Sequence, residues 1–230
     1  MDFDWLFFVE ISLGGLGTGG LYALTALAFV IIFKSTGVVN LAIGEMLMVG
    51  AYLVYGLATG FGLPIWLAII VGVLGSGLAG GGIERLAIRP MVGESPISTF
   101  MITVGLASVL VGAVELIWTA DQRRMPPIMP DEAIFIGEAF VSSKVFYGFF
   151  VTLILISLGL LVFRFWRGGV ALRATAFDQG AAYSMGINVP RVFSLSWVIG
   201  AMIATVAGVI VGAIGGISPS MGIFGLSVLV

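Results

Sequence analysis

The chain predicts an all-α, polytopic membrane protein, and three observations carry that reading. Mean hydropathy is +1.18, only 10% of the 230 residues are charged, and the apolar runs recur at the length of a bilayer. A composition of 60% hydrophobic residues exceeds what one soluble core can hide. The net charge is −2 and the basic residues are scattered, so there is no footprint for nucleic acid. Cysteine and histidine do not occur, which removes disulfides, thiol nucleophiles, histidine proton relays and the usual zinc clusters.

A helix rises about 1.5 Å per residue and the hydrocarbon layer is about 30 Å thick, so a crossing takes roughly 20 mostly apolar residues. Six full spans are expected, at residues 11–33, 38–58, 64–83, 97–118, 146–165 and 192–214. The opening MDFDWLFFVE is acidic and has no Lys or Arg. It lacks the basic flank of a cleavable signal, and the first span is expected to persist. A seventh apolar stretch begins near Met221 and reaches Val230 with no charged stop. The expectation is one transmembrane domain, residues 1–230, with a truncated further span and without its C-terminal spans.

Basic flanks resist translocation. One side collects Lys34, Arg85, Arg89, Arg164, Arg167, Arg173 and Arg191, and the other holds Arg123, Arg124 and Lys144. The richer side is expected to be cytoplasmic. The N-terminus, with Asp2 and Asp4, then faces out, as do the turn GFGLP and the connection DQRRMPPIMPDEAIFIGEAF. Helices in lipid associate through close backbone approach at small residues. Gly200, Ala204, Gly208, Gly212 and Gly216 recur in steps of four in the sixth span, and Gly15, Gly19 and Ala23 do so in the first. Both stripes are expected to pack helices, with a sliding or subunit-contact surface as the alternative.

One polar stretch is patterned. In GVALRATAFDQGAAYSMGINVPR, the residues Val170, Ala174, Phe177, Ala181 and Met185 return every three or four positions, as one face of a helix does. Asp178 suits an N-cap, Gly186 suits the left-handed position that ends a helix, and Pro190 blocks continuation. A short capped helix lying along the membrane surface follows. Its face of Ala, Met and a single Phe suits a shallow protein pocket better than anionic headgroups, which favour a Lys-rich flank.

Three motifs in this order, TGVVNLAIGEMLMVGAY (36–52), ERLAIRPMVGESP (84–96) and LRATAFDQGAAYSMGINVPRV (172–192), resemble the H-type permease of branched-chain amino acid ABC importers. The resemblance covers nearly the whole chain. It implies that Phe177, Asp178, Ala181, Ala182, Met185 and Gly186 form a cytoplasmic coupling helix seated in an ATPase subunit. It also implies a paralogous permease chain, two ATPase subunits that use ATP and Mg, an extracytoplasmic solute-binding protein, and a place in the bacterial inner membrane. The cargo would be leucine, isoleucine and valine, or other amino acids, amides or urea. Independently, Lys34 and Lys144 are the chain's lysines and neither follows a glycine loop. There is no phosphate-cradling P-loop, so an ATP motor would be another chain, and no cofactor is expected on this one.

An ionisable residue inside a span is a functional hypothesis by default. Glu45 lies a turn or two into the second span near Asn40, which is expected to cap that helix. Near the positive end of that helix Glu45 gains from the macrodipole, which suits a purely structural role; the functional alternative pairs it with Arg85 or Arg89 to help fix an inner gate, with no role in substrate binding. Thr103 and Ser108, beside Gly105, are expected to bond back to their own helix backbone, with lining a route as the alternative, and Glu10 and Glu115 are candidates for membrane interfaces. Arg123 and Arg124, with Asp131 and Glu132, are candidates for meeting a binding protein. Sparse fixed charge suits a zwitterion with an apolar side chain, because strong charged sites would retard its release. The competing class is an ATP-independent channel or ion-coupled carrier, which would call for midplane carboxylates or broken helices. No credible cluster supports an intramembrane enzyme.

Overall fold

The computed structural model describes residues 5–91, 94–129, 132–136 and 139–227. Asp2, Asp4, Asp131 and residues 228–230 of the seventh stretch lie outside them. Nine α-helices are described: α1 (Trp5–Thr36), α2 (Ile43–Thr59), α3 (Ile65–Ile83), α4 (Pro96–Trp118), α5 (Ser143–Phe165), α6 (Arg167–Phe177), α7 (Gln179–Ser184), α8 (Val189–Gly215) and α9 (Gly222–Leu226). A π-helical turn (Glu84–Ile88) and a 3-10 turn (Arg89–Met91) prolong α3. An antiparallel hairpin, β1 (Ala133–Ile136) with β2 (Ala139–Ser142), interrupts the long connection before α5.

Five of the described helices are long and apolar enough to cross a membrane. The second expected span is the exception, because α2 has 17 residues, about 25 Å. Its helix begins at Ile43 rather than Val38. Gly37 takes a φ of 71° and receives the end of α1, its N–H donating to the Phe33 carbonyl at 2.8 Å. The chain then stays non-helical to residue 42. Asn40 does not cap α2. Its Oδ1 accepts from the Ala42 N–H at 3.0 Å and its Nδ2 donates to Met46 Sδ at 3.4 Å, a turn that precedes the helix. The seventh stretch opens as a 3-10 turn (Pro219–Met221) followed by the five residues of α9.

The helices define two ends. At one, Arg89 Nη2 donates to the Pro190 carbonyl at 3.2 Å and to Ser194 Oγ at 2.6 Å, tying the end of α3 to the start of α8. At the other, Arg123 and Ile217 exchange backbone bonds of 2.8 Å, and Gln122 Nε2 donates to the Gly215 carbonyl at 2.8 Å. Glu10 accepts there from the Phe140 N–H at 2.7 Å, clasping α1 to the hairpin.

Helix α8 is the hub, buried against α1, α2 and α3. A Cβ at Gly200 would meet Ile32 and the Ala28 carbonyl, one at Gly208 the Leu47 carbonyl, and one at Gly212 the Ile217 side chain; Ala204 is fully buried among them. Gly216 leaves this stripe because α8 ends at Gly215. On α1 the expected stripe faces the wrong way for packing within the chain. A Cβ at Gly15 or Gly19 meets nothing within 4 Å, whereas Gly17 and Gly20 face Val145, Phe149 and Thr152 of α5. Gly15, Gly19 and Ala23 instead line an open groove between α1 and α5.

Overpacking a close contact costs about 1–3 kcal/mol. Gly208→Leu, forced against a backbone carbonyl that cannot rotate away, is expected to lower the melting temperature of the detergent-solubilised protein by several degrees. Gly15→Ala is expected to hold or raise it, since it gains helix propensity of up to about 1 kcal/mol and meets no neighbour.

Candidate functional site: a surface knob and a buried carboxylate

The amphipathic stretch forms a knob at the end where α3 finishes and α8 begins. It is two helices, not one, broken at Asp178. Asp178 is the N-cap of α7, with φ −157° and its Oδ1 accepting from the Ala181 N–H at 2.9 Å. Gly186 takes a φ of 84°, and its N–H donates to the Tyr183 carbonyl at 2.9 Å. Pro190 stands in the first turn of α8 and so opens the next helix, with Asn188 Oδ1 accepting from the Arg191 N–H at 3.2 Å. Arg173 anchors α6 by donating to the Phe163 and Arg164 carbonyls, both at 3.1 Å. These are the carbonyls that the end of α5 leaves without helical partners.

Phe177 is 97% exposed, Met185 83% and Tyr183 72%. Phe177 and Met185 rim a shallow hollow floored by Ala174, Ala181, Ala182 and Ile187. Ala182 is only 4% exposed, so it supports the knob from within. Tyr183, which the spacing of Val170, Ala174, Phe177, Ala181 and Met185 leaves out, is as exposed a part of the knob as the residues that spacing picks.

The end that carries the knob also carries a buried ion pair. Glu84, 1% exposed, accepts from Arg89 Nε at 3.1 Å and Nη2 at 2.9 Å, and from Ser194 Oγ at 2.7 Å. Arg89 is thereby committed to Glu84, and the pairing with Glu45 is not made. Arg85 makes no ion pair among the described residues. Glu45 is 7% exposed, and its Oε2 has no hydrogen-bond partner among the described residues. A buried polar group left unsatisfied costs about 1–3 kcal/mol, and more when it is charged.

Thr103 is fully buried and acts on the non-helical segment before α2. Its hydroxyl accepts from the Leu41 N–H at 3.3 Å, lies 3.3 Å from the Val39 carbonyl and donates to the Phe100 carbonyl at 2.8 Å. Backbone that is not helical at membrane depth needs such partners. Ser108 is exposed and donates back to the Val104 carbonyl of its own helix at 3.4 Å, so it lines no route within the chain, and a Cβ at Gly105 meets nothing within 4 Å.

At the opposite end a cavity of about 790 Å³ is lined by Gln122–Met129 residues, Lys144 and the end of α8. Arg123 is a structural latch there. Nε and Nη2 donate to the Trp118 carbonyl at 3.0 and 2.7 Å, and the guanidinium lies 5.9 Å over the Tyr55 ring. Hydrogen bonding to the Tyr55 hydroxyl pushes Arg123 up from its ordinary value. Glu115 receives the end of α4, its carbonyl accepting from the Thr119 N–H at 3.0 Å.

Long apolar helices joined through a glycine-lined hub, with a knob projecting at one end, are the architecture of a multi-pass membrane protein. The family model described as branched-chain amino acid transport system, permease component, matches residues 11–229, and the chain belongs to that family. It is 30% identical to the high-affinity branched-chain amino acid transport system permease protein LivH of Salmonella typhimurium, over 96% of this chain and 76% of that protein. It is likewise 30% identical to BraD of Pseudomonas aeruginosa, a permease protein of a system with the same description, over 94% of this chain and 74% of that one. The fructose import permease protein FrcC of Rhizobium meliloti is 26% identical over 82% of this chain and 52% of its own length. No solved structure matches.

Removing one partner of a buried ion pair costs on the order of 3 kcal/mol. Arg89→Ala is therefore expected to destabilise the protein more than the double variant Glu84→Gln, Arg89→Met, which strands no charge. Thermal unfolding in detergent measures the difference.

Proposed function

We propose that the chain is a membrane-spanning subunit of an ATP-driven importer and carries branched-chain amino acids into the cytoplasm. The observation that carries this reading is the knob: two short helices, capped by Asp178 and ended at Gly186, hold Phe177, Tyr183 and Met185 clear of the membrane bundle. Exposed aromatic and methionine side chains around a hollow are what a protein groove takes up, with aromatics as anchors. The partner is an ATPase subunit, which binds ATP and Mg. Two such subunits, a second permease chain and an extracytoplasmic binding protein complete the assembly.

The orientation follows from the basic residues. Lys34, Arg85, Arg89, Arg164, Arg167, Arg173 and Arg191 flank the end that bears the knob, so that end is cytoplasmic. The N-terminus and the cavity near Arg124 and Lys144 then face outward in the bacterial inner membrane. The cavity is where a binding protein delivers solute. Leucine, isoleucine and valine are the cargo by kinship with LivH and BraD.

Phe177→Ala combined with Met185→Ala is expected to reduce co-purification of the ATPase subunit at least tenfold while the melting temperature stays within a few degrees, since both side chains are exposed. Full retention of the ATPase by this variant would count against coupling through the knob. Asp178→Ala removes a cap worth about 1 kcal/mol and is expected to give a smaller loss of the same kind.

A further inference from the structure

The knob is rooted in the bundle at two places. At one, Arg173 ties α6 to the end of α5. At the other, α7 hands over to α8 through residues 185–188, and the first turn of α8 is bonded sideways to the end of α3. That side bond depends on the π-helical turn. Residues five apart in a regular α-helix lie about 140° apart around the axis, so Glu84 and Arg89 would point to different faces. Here the Arg89 N–H donates to the Glu84 carbonyl, the bond that defines a π-helix, a form found mostly as single turns and often at functional sites. The wider turn lets the two side chains pair as the two backbones do.

Arg89 Nη2 also reaches Ser194 Oγ at 2.6 Å and the Pro190 carbonyl at 3.2 Å, and Ser194 Oγ donates to Glu84 Oε2 at 2.7 Å. Glu84, Arg89 and Ser194 thus close a ring of hydrogen bonds between the two helices. Among the described residues, no other side-chain hydrogen bond joins the first turn of α8 to another helix. Apolar residues of similar size would hold two helices together as well as a buried ion pair does; the ring adds a fixed register between them. Deeper in the bundle the same two helices pack closely. A Cβ at Gly80 would stand 2.7 Å from the Trp197 carbonyl, and one at Gly77 would stand 2.8 Å from Met202 Cγ. The ring fastens the end of this seam nearest the knob.

We propose that Glu84, Arg89 and Ser194 are positioning residues that couple the knob to transport, by locking the start of α8 to the end of α3 so that a displaced knob moves both helices together. The inference rests on reading the chain as an importer subunit. Packed elements transmit displacement as rigid bodies when their contacts do not yield. With the ring in place, a push on α7 reaches α3 as well as α8, and α3 passes it to α2, whose Val54 packs on Gly72. Without it, the push is taken up by bending at residues 185–188 and in the first turn of α8, and ATP is hydrolysed with little cargo moved.

The test uses the complete importer in proteoliposomes, with a mixture of radiolabelled leucine, isoleucine and valine as the probe. The readout is amino acid imported per ATP hydrolysed. Glu84→Gln combined with Arg89→Met strands no charge. It is expected to lower that ratio at least fivefold while the ATPase subunits still co-purify and hydrolyse ATP. Ser194→Ala is expected to lower it about twofold, and Ser194→Thr, which keeps the hydroxyl, to recover it. A wild-type ratio in the double variant overturns the proposal. So does a fall of uptake and hydrolysis together at constant ratio, the mark of a merely structural role. A second arm exploits the absence of native cysteine. A Cβ at Gly81 would stand 3.0 Å from Val198 Cγ2, so Gly81→Cys with Val198→Cys places two thiols within disulfide reach across the α3–α8 seam. Oxidation of this pair is expected to restore the ratio of the double variant, and dithiothreitol to reverse the rescue, while the same cross-link beside an intact ring leaves coupling unchanged. A cross-linked double variant that stays uncoupled, or a cross-link that stops transport beside an intact ring, also overturns the proposal. No ATP-driven uptake by the wild type brings down the importer reading and this role with it, whereas wild-type coupling in the double variant brings down this role alone.

Discussion

The architecture depends on backbone meeting backbone along α8. Lipid offers no hydrophobic gain for pressing one apolar helix on another, so cohesion comes from dispersion and the contacts must be close. Gly200, Gly208 and Gly212 permit that closeness, bringing the Ala28 carbonyl, the Leu47 carbonyl and Ile217 onto α8. Gly50 and Gly80 return it from α2 and α3, and Gly72 of α3 takes up Val54 of α2. With the hub this tight, α1, α2 and α3 have fixed rotations, and every other side chain takes its direction from them.

The same tightness lets the chain keep irregular backbone inside the bundle. Residues 37–42 give up helical hydrogen bonds where water is scarce, and side chains replace some of them: the Thr36 hydroxyl accepts from Val38 N–H, Asn40 from Ala42 N–H, and Thr103 from Leu41 N–H. The consequence is a short α2 that starts within the bundle. Its first turn holds Glu45 against Gly222, while the Gly44 and Gly225 backbones approach each other where any side chain would intervene. A second stabilising contact, the stacking of Tyr22 on Phe224 at 4.5 Å, holds α9 to α1. Chain geometry thus carries a carboxyl group into the interior, where it meets no cationic partner among the described residues.

At the knob the logic is reversed, because water can satisfy the backbone and the problem is rigidity. Helix α7 has six residues, too few to be stable alone. Its cap at Asp178, the left-handed Gly186 and the Arg173 anchor to the end of α5 supply what length does not. Ala182 packs inward, and that leaves Phe177, Tyr183 and Met185 free to face outward on a support that does not yield easily.

Much of this was legible in the chain. Hydropathy at the bilayer period marked out the long helices, and cap chemistry located Asp178 and Gly186, because both signals are local and survive without knowledge of neighbours. Spacing found the α8 glycines, whereas Gly15 and Gly19 meet nothing within 4 Å in this chain, since a stripe of small residues shows where a helix can be approached and not what approaches it. The choice of partner was beyond local pattern: Arg89 is taken by Glu84 across the π-helical turn, and Glu45 makes no ion pair among the described residues. By itself the sequence determined where the long apolar helices lie, where the knob is capped and that these residues hold no phosphate-cradling P-loop. Tertiary structure alone decided that α2 starts late, that Tyr183 faces out and that Arg89 joins Glu84 to the start of α8. These depend on helix rotation and on contacts between residues distant in the chain, which no local period records.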